Sequence, residues 1–470
     1  MFNVLGRALR SRTRLSSVTV AGTFLVTAGI GAGTLCSSRR VIRLDNEEKL
    51  KDNYVIYSSA GAQQSSLRRQ KSLDKFAVHP RDVDRVLREH EQSHTVADTT
   101  PGISRFYTSQ IASNNPTEDD HDEHLVAVPP VAWSLFSVFD GHSGWETSAF
   151  LRENLHIAII GALADLYSKY GPEKRPLNAE VDDAIRGTFQ DLDEEIVQES
   201  LDRVLSMKTP SKTEAIQTLA PAYAGACALL AFYDAESSLL RVALTGDVRA
   251  VLGRRRSDGK FDVHVLSADQ NGSNPKEKER IEAAHPGEEV VKGDRVAGMG
   301  VSRAFGDALY KWGRAAQLRL KEEFLGKTPW PHILTPPYLT AEPVITTTKI
   351  HPGDFLILAT DGLWECLSNE EAVGLVGLWM DDQEKGPQVI EREALPVTLN
   401  GNQLSVRYRQ WRAGKQFVNV DENAATHLIR NAVGGADTDL TAALFSVTSP
   451  RSRYYLDDIT TTVVFFSAEQ

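Results

Sequence analysis

Five acidic turns, each abutting a β-rich run, constrain this 470-residue chain more than any other feature. Asp140-Gly141-His142 ends the run Val131–Phe139, whose alternating, aromatic-rich pattern reads as a strand. Asp361-Gly362 ends Phe355–Ala359, and Thr245-Gly246-Asp247 follows Leu239–Leu244. Asp457-Asp458 precedes the last run, Ile459–Phe466, and Glu118-Asp119-Asp120 precedes the Val131 region. A single Asp beside Gly at a strand end is commonly a turn residue. Five such turns on one antiparallel core suggest more, because the end of one strand lies beside the start of its neighbour. Asp140 and Asp361 can then meet Asp457. Crowded carboxylates repel and raise one another's pKa, and a divalent cation removes that repulsion. Hard oxygen donors with no adjoining Cys favour Mg²⁺ or Mn²⁺ over zinc.

The rest of the chain fits a globular body behind an unusual start. Hydrophobic residues make up 41% and charged residues 24%, which excludes collagen-like and wholly disordered chains. The net charge of -11 disfavours nucleic acid. Cys36, Cys227 and Cys366 have no C-x-x-C spacing, so neither a disulfide framework nor a structural zinc is expected. Residues 1–44 hold Arg7, Arg10, Arg12, Arg14, Arg39, Arg40 and Arg43 and no acidic residue. This Arg-rich, Ser-containing segment resembles a mitochondrial presequence. Within it, residues 18–36 are apolar and just long enough to cross a bilayer, so either a cleaved transit peptide or an inner-membrane association is expected. Residues 45–75 read as a flexible linker, with a polar run from Ser58 to Ser66 that has nothing to bury.

From residue 76 to 470 the chain reads as one mixed domain. Helices are expected from Trp145 to Ile160 and from Val181 to Leu205, the latter with Val181, Ile185, Phe189, Leu192 and Ile196 on one face. The runs Ala226–Tyr233, Leu239–Leu244, Ala250–Arg254 and Phe261–Leu266 read as a β-meander. Strands in runs with helices between them give an α+β class, an antiparallel sheet packed against outer helices.

Phe139-Asp140-Gly141-His142-Ser143-Gly144 resembles the first signature of the metal-dependent type-2C serine/threonine protein phosphatases. Thr245-Gly246-Asp247-Val248-Arg249-Ala250, Gly300 to Asp307, Leu358 to Trp364 and Asp457-Asp458-Ile459-Thr460 follow in that family's order. Within the family, Asn114 to Asp119, Ser273-Asn274-Pro275, Asn423 to Arg430 and Asp457 to Thr460 are similar to the mitochondrial pyruvate dehydrogenase phosphatase catalytic subunits.

The resemblance implies a central antiparallel β-sandwich flanked by helices on both faces, an α-β-β-α arrangement. It implies two Mg²⁺ or Mn²⁺ ions, with a third position. Asp140 would bridge two ions, the Gly141 carbonyl would touch one, and Asp361 and Asp457 would hold the other. Glu118 and Asp119 would act through water or as outer ligands, and Asp247 would serve the third position. His142 would be the general acid toward the leaving Ser or Thr oxygen. The expected reaction is hydrolysis of phosphoserine and phosphothreonine in proteins by metal-activated water, consistent with the absence of a Cys-x5-Arg loop. The implied substrate is the pyruvate dehydrogenase α subunit, in the mitochondrial matrix or at the inner membrane and intermembrane space. Two alternatives stay open: a catalytically weak pseudophosphatase acting as a binding module, and a phosphatase for other mitochondrial phosphoproteins.

Departures from the family pattern fall at named positions. Asn114 stands at the substrate-binding position where the general pattern has an Arg that would grip phosphate bidentately, so phosphate binding is expected to rest more on metal. Asp458 replaces a commoner Asn and is expected to add charge near the ions, and Gln270 replaces a His. Two inserts are expected. Residues 310–345 would form a flap over the groove. Residues 380–421 contain Arg407, Tyr408, Arg409, Trp411, Arg412 and Lys415 and are expected to pack their own aromatics as a hairpin.

Overall fold

A computed structural model describes residues 77–96, 102–128, 131–170, 174–381, 386–399 and 405–467. The expected targeting region over 1–44, the apolar stretch over 18–36 and the linker over 45–75 lie outside the described residues. Among those residues, no helix is long and apolar enough to cross a membrane.

The strands, in chain order, begin with β1 (Gln92–Thr95), β2 (Ile103–Ile111), β3 (Asp120–Val128) and β4 (Val131–His142). Next come β5 (Gly225–Asp234), β6 (Leu239–Thr245), β7 (Arg249–Arg255), β8 (Phe261–Val265), β9 (Val291–Lys292), β10 (Arg295–Val296) and β11 (Phe305–Gly306). The series ends with β12 (Val344–Lys349), β13 (Phe355–Ala359), β14 (Gly386–Ile390), β15 (Phe417–Asn419) and β16 (Ile459–Phe466). One antiparallel sheet runs β1-β2-β16-β13-β7-β8. The other runs β12-β6-β5-β4-β3, with β11 beside β5.

Period-two alternation decides the layers. Along β4, Phe136 and Val138 face one way and Leu135 and Phe139 the other. The first pair joins Leu229, Val242, Leu252, Leu356, Leu358 and Val464 in a core drawn from both sheets. The second pair meets Leu151, Leu155 and Ile159 of the Glu146–Tyr167 helix and Phe189 of the Asn178–Glu194 helix. On the far side, Phe355, Ile357 and Val463 pack on Leu375 and Val376 of the Asn369–Asp381 helix and on Leu428 and Ile429 of the Ala424–Ala432 helix. The result is helix, sheet, sheet, helix, as the resemblance implied. Strands buried on both faces explain why β5 and β13 read as continuous apolar runs.

The expected meander is corrected. β5 pairs with β6 and β7 with β8, but β6 turns to β12 and β7 to β13. The Gly246-Asp247 turn therefore crosses from one sheet to the other instead of closing a hairpin. Gly246 makes the crossing possible: its φ is +106°, and a Cβ there would lie 2.2 Å from Cys227 Sγ.

Neither insert stands free. Tyr310, Trp312 and Tyr338 are buried, and the Trp312 indole donates to the Val197 carbonyl (2.9 Å). In the stretch 310–345, expected as a flap over the groove, these aromatics are part of the core. In the second insert β14 pairs with β15, Tyr408 is fully buried, Arg407 pairs with Glu365 (2.6 Å) and Lys415 with Glu371 (2.5 Å).

Asn423 to Arg430, one of the segments shared with the phosphatase subgroup, has a structural reason. Asn423 caps the Ala424–Ala432 helix, accepting from the backbone N–H groups of Ala425 (2.9 Å) and Thr426 (3.0 Å). Arg430 forks onto Asp421 at 2.6 and 2.8 Å, both side chains being almost wholly buried. Breaking a buried pair leaves an uncompensated charge, costing about 3–5 kcal/mol. Asp421→Ala should lower the urea midpoint by an amount equivalent to about 3 kcal/mol, Asp84 still facing Arg430 at 2.8 Å; an unchanged midpoint would refute this reading.

Candidate metal centre

The antiparallel register delivers the acidic turns to one end of the sandwich. In one sheet Ala359 of β13 lies opposite Thr461 of β16, so Asp361 just past β13 and Asp457 just before β16 lie at the same end of the sheet. Asp140 comes from β4 in the other sheet, and its Oδ2 accepts from the Asp361 N–H at 3.3 Å. Ile111 of β2 lies opposite Ile459, which brings the loop after β2, with Glu118 and Asp119, to the same place.

That loop is held by Asp458. Its Oδ1 accepts from the N–H groups of Ser113 (2.6 Å) and Asn114 (2.8 Å). Its Oδ2 accepts from the Glu118 N–H (2.8 Å), the Thr117 hydroxyl (3.1 Å) and the Asn114 amide (3.2 Å). Asp458 is 3% exposed and both of its oxygens are taken by loop donors, while its charge also bears on Asp119, as expected. Asn114 is turned the same way, its amide also reaching Glu118 Oε2 at 3.4 Å. Glu118 Oε1 accepts from the Gly144 N–H (2.7 Å), and its carbonyl accepts from the Ser148 hydroxyl (2.5 Å). That carbonyl also explains Gly141, where a Cβ would lie 2.1 Å from it.

The electrostatics are those of a centre built to receive positive charge. Burial pushes the Asp140 carboxyl well above the usual carboxylate range, and Asp119, Asp247 and Asp457 push it further. Asp361 is raised in the same way, by burial and then by Asp140, Asp247 and Asp457. Asp119 is raised by burial and by Asp458, against the hydroxyls of Thr460 and Thr360. Burial lifts Asp247 to about 6. Asp119 Oδ2 is buried without a hydrogen-bond partner, a costly state for an acceptor. These residues fit hard divalent cations. The nearby Cys227 thiol is pushed up by burial and then by Asp247 and Asp140, so it offers no thiolate to a softer metal. Among the described residues, no three of these acids offer oxygens mutually within 4.8 Å.

His142 and Asp247 border the acids. His142 Nε2 is 2.6 Å from Asp307 Oδ2. Burial alone would lower the imidazole pKa, but Asp307 outweighs it and the net direction is upward. Asp307 reaches this place through a left-handed φ of 49°, and Gly225 leaves room, since a Cβ there would lie 2.3 Å from His142 Nε2 and 2.5 Å from Asp307 Oδ2. Beside Asp247, Gln270 braces the sheet crossing: its Oε1 accepts from the Gly246 N–H (2.7 Å) and its amide donates to the Leu244 carbonyl (3.0 Å).

Sequence reasoning missed two neighbours of the site. Asp307 closes the Gly300–Asp307 motif, but only its contact with His142 reveals a role. Arg453 belongs to no motif. Its Nη1 lies 2.7 Å from Glu118 Oε2 and its Nε 3.8 Å from Asp457 Oδ2, with the side chain 44% exposed. The available signal was its position four residues before Asp457, on the short Ser452–Tyr455 helix.

Comparison with known proteins identifies the family. The family model described as Protein phosphatase 2C matches residues 111–399. A protein phosphatase 2C homolog of Schizosaccharomyces pombe is 42% identical, over 84% of this chain and 87% of its own. The mitochondrial pyruvate dehydrogenase (acetyl-transferring) phosphatase 1 of Saccharomyces cerevisiae is 34% identical, over 92% and 82%. The corresponding protein of Bos taurus is 32% identical, over 84% of each chain. By its family match, its relatives and its acidic centre, this chain belongs to the protein phosphatase 2C family and is a metal-dependent protein serine/threonine phosphatase.

Proposed function

We propose that this phosphatase acts on phosphoserine or phosphothreonine of the pyruvate dehydrogenase complex in mitochondria. The observation that carries the catalytic part is the meeting of Asp140 and Asp361 from two different sheets beside the orphaned Asp119 Oδ2. Similarity to proteins named as mitochondrial pyruvate dehydrogenase phosphatases supports the substrate. The presequence-like residues 1–44 support the compartment.

Asp140, the Gly141 carbonyl, Asp361 and Asp457 would hold two Mg²⁺ or Mn²⁺ ions, with Glu118 and Asp119 as outer ligands and Asp247 at a third position. Bound there, the ions supply charge that draws in phosphate oxygens and acidifies a water. His142 does the proton work. Asp307 orients its Nε2 and favours the protonated ring, leaving the Nδ1 proton for the departing Ser or Thr oxygen. Such general acid help is worth roughly 10²–10⁴-fold.

Arg453 supplies the guanidinium that Asn114 cannot. It enters from the opposite end of the chain, stands at the rim and is half exposed, so it can turn from Glu118 to an incoming phosphate.

Three outcomes are expected. Asp140→Asn should cut Mn²⁺-dependent p-nitrophenyl phosphate hydrolysis by at least about 100-fold, and EDTA should do the same to the native enzyme. The metal-free variant should melt no lower than the native protein, because a buried, crowded negative charge is removed; retained turnover would defeat the assignment. Arg453→Ala should raise KM for a phosphopeptide by about 10-fold or more with a smaller change in kcat, and Arg453→Lys should recover part of it; a pure kcat effect would count against a phosphate grip. Phosphorylated pyruvate dehydrogenase α subunit should be dephosphorylated with kcat/KM at least about 10-fold above that for an unrelated phosphoprotein, and equal values would remove the substrate reading while leaving the enzyme.

A further inference from the structure

A second cluster of ligand-type side chains lies outside the acidic centre, on the helix-facing side of β3. This edge strand reads Asp-His-Asp-Glu-His at its start, an unusual composition for a strand packed under a helix. Asp122 lies opposite Ser137 and His124 opposite Leu135 of β4. Leu135 faces the Glu146–Tyr167 helix, so Asp122 and His124 face it too. From that helix His156, fully buried, points back at them.

Three atoms converge there. Asp122 Oδ2 is 3.1 Å from His124 Nδ1 and 3.0 Å from His156 Nδ1, and the two nitrogens are 3.0 Å apart. An imidazole nitrogen has one in-plane direction for a proton or a ligand, so a near-equilateral triangle cannot be closed by three linear hydrogen bonds. Asp122 Oδ2 is buried and makes no hydrogen bond of good geometry despite its two close neighbours. The far side of the buried ring is fixed as well, since His156 Nε2 lies 2.7 Å from the buried Ser137 hydroxyl. An imidazole whose second nitrogen is held in this way is the usual supported metal ligand. At ordinary Zn–N and Zn–O distances of 2.0–2.1 Å, donors 3.0–3.1 Å apart subtend about 95° at a common ion. That is one face of an octahedron. Of the three side chains His124 is the one that reaches solvent most, at 42% exposed.

We propose that Asp122, His124 and His156 form a second cation site, separate from the catalytic acids and selective for a borderline divalent metal such as Zn²⁺ or Co²⁺. Two nitrogens and one oxygen suit such ions and suit Mg²⁺ poorly. Burial keeps His156 below the ordinary imidazole range, so the ring is neutral and one of its nitrogens carries a lone pair; Asp122 raises His124, a proton that a bound cation would displace. Asp122 is held low by the two histidines in spite of its burial, and so is ionised. The ion would pin the edge strand to the helix. β3 continues directly from Glu118 and Asp119, so this pin adjoins the catalytic loop without belonging to it.

The test uses full-length protein stripped with EDTA and returned to excess Mg²⁺, which fills hard-oxygen positions. Isothermal titration with Zn²⁺ should show one equivalent bound by the native protein and by Asp140→Asn. His124→Ala, a change at a half-exposed side chain, should bind that equivalent at least 10-fold more weakly and should keep Mg²⁺-dependent hydrolysis of p-nitrophenyl phosphate. Co²⁺ in place of Zn²⁺ should give visible absorption bands in the native protein that His124→Ala loses. Zinc binding lost in Asp140→Asn but kept in His124→Ala would assign it to the catalytic acids and overturn the proposal, as would the absence of any Zn²⁺ equivalent in excess Mg²⁺.

Discussion

Buried carboxylates repelling one another across the mouth of a β-sandwich are the constraint on which the rest of this structure depends. Asp140 comes from one sheet and Asp361 and Asp457 from the other, so the two sheets must hold like charges together against their preference to separate. The cores on both faces of each sheet supply that resistance. Leu356 and Leu358 point into the interface, while Phe355 and Ile357 face the outer helices. No carboxylate can escape repulsion by moving its strand without disturbing two packed layers.

Around this strained centre, the polar groups that hold the frame are distinct from those available for chemistry. Asp458 spends both oxygens on the loop of Ser113 to Glu118. Gln270 braces the sheet crossing at Gly246. Gly141 and Gly225 admit neighbours that a Cβ would exclude. Asp119 is left with an oxygen that has no partner, the most direct sign that a cation completes the arrangement. The same separation appears along β3. Its first residues continue from the catalytic loop, while Asp122 and His124 turn to a helix on the other side.

Much of this was legible in the linear chain because strand-end Asp-Gly turns are local signals. The positions of Asp140, Asp361 and Asp457, the helices flanking the sheets and the α+β class all followed from periodicity and motif order. Other features were not legible, because they depend on pairings between distant segments. The Leu239–Leu244 and Ala250–Arg254 runs looked like neighbours in a meander, yet they belong to different sheets, since both orders give the same alternating pattern. That Asp458 also holds a loop was not legible, because nothing local shows five donors from a segment some 340 residues earlier turning toward it.

The sequence alone determined the chemical inventory: hard oxygen donors at strand ends, a histidine beside one of them, and an Arg-rich start ahead of an acidic body. It did so because residue type and two-residue alternation are properties of the chain itself. Only the tertiary structure decided which donors share a site, which are spent on scaffolding, that Arg453 stands beside Glu118, and that His156 meets Asp122 and His124. Those relations arise where strands and helices far apart in the chain are packed side by side, and no local pattern encodes a distance between them.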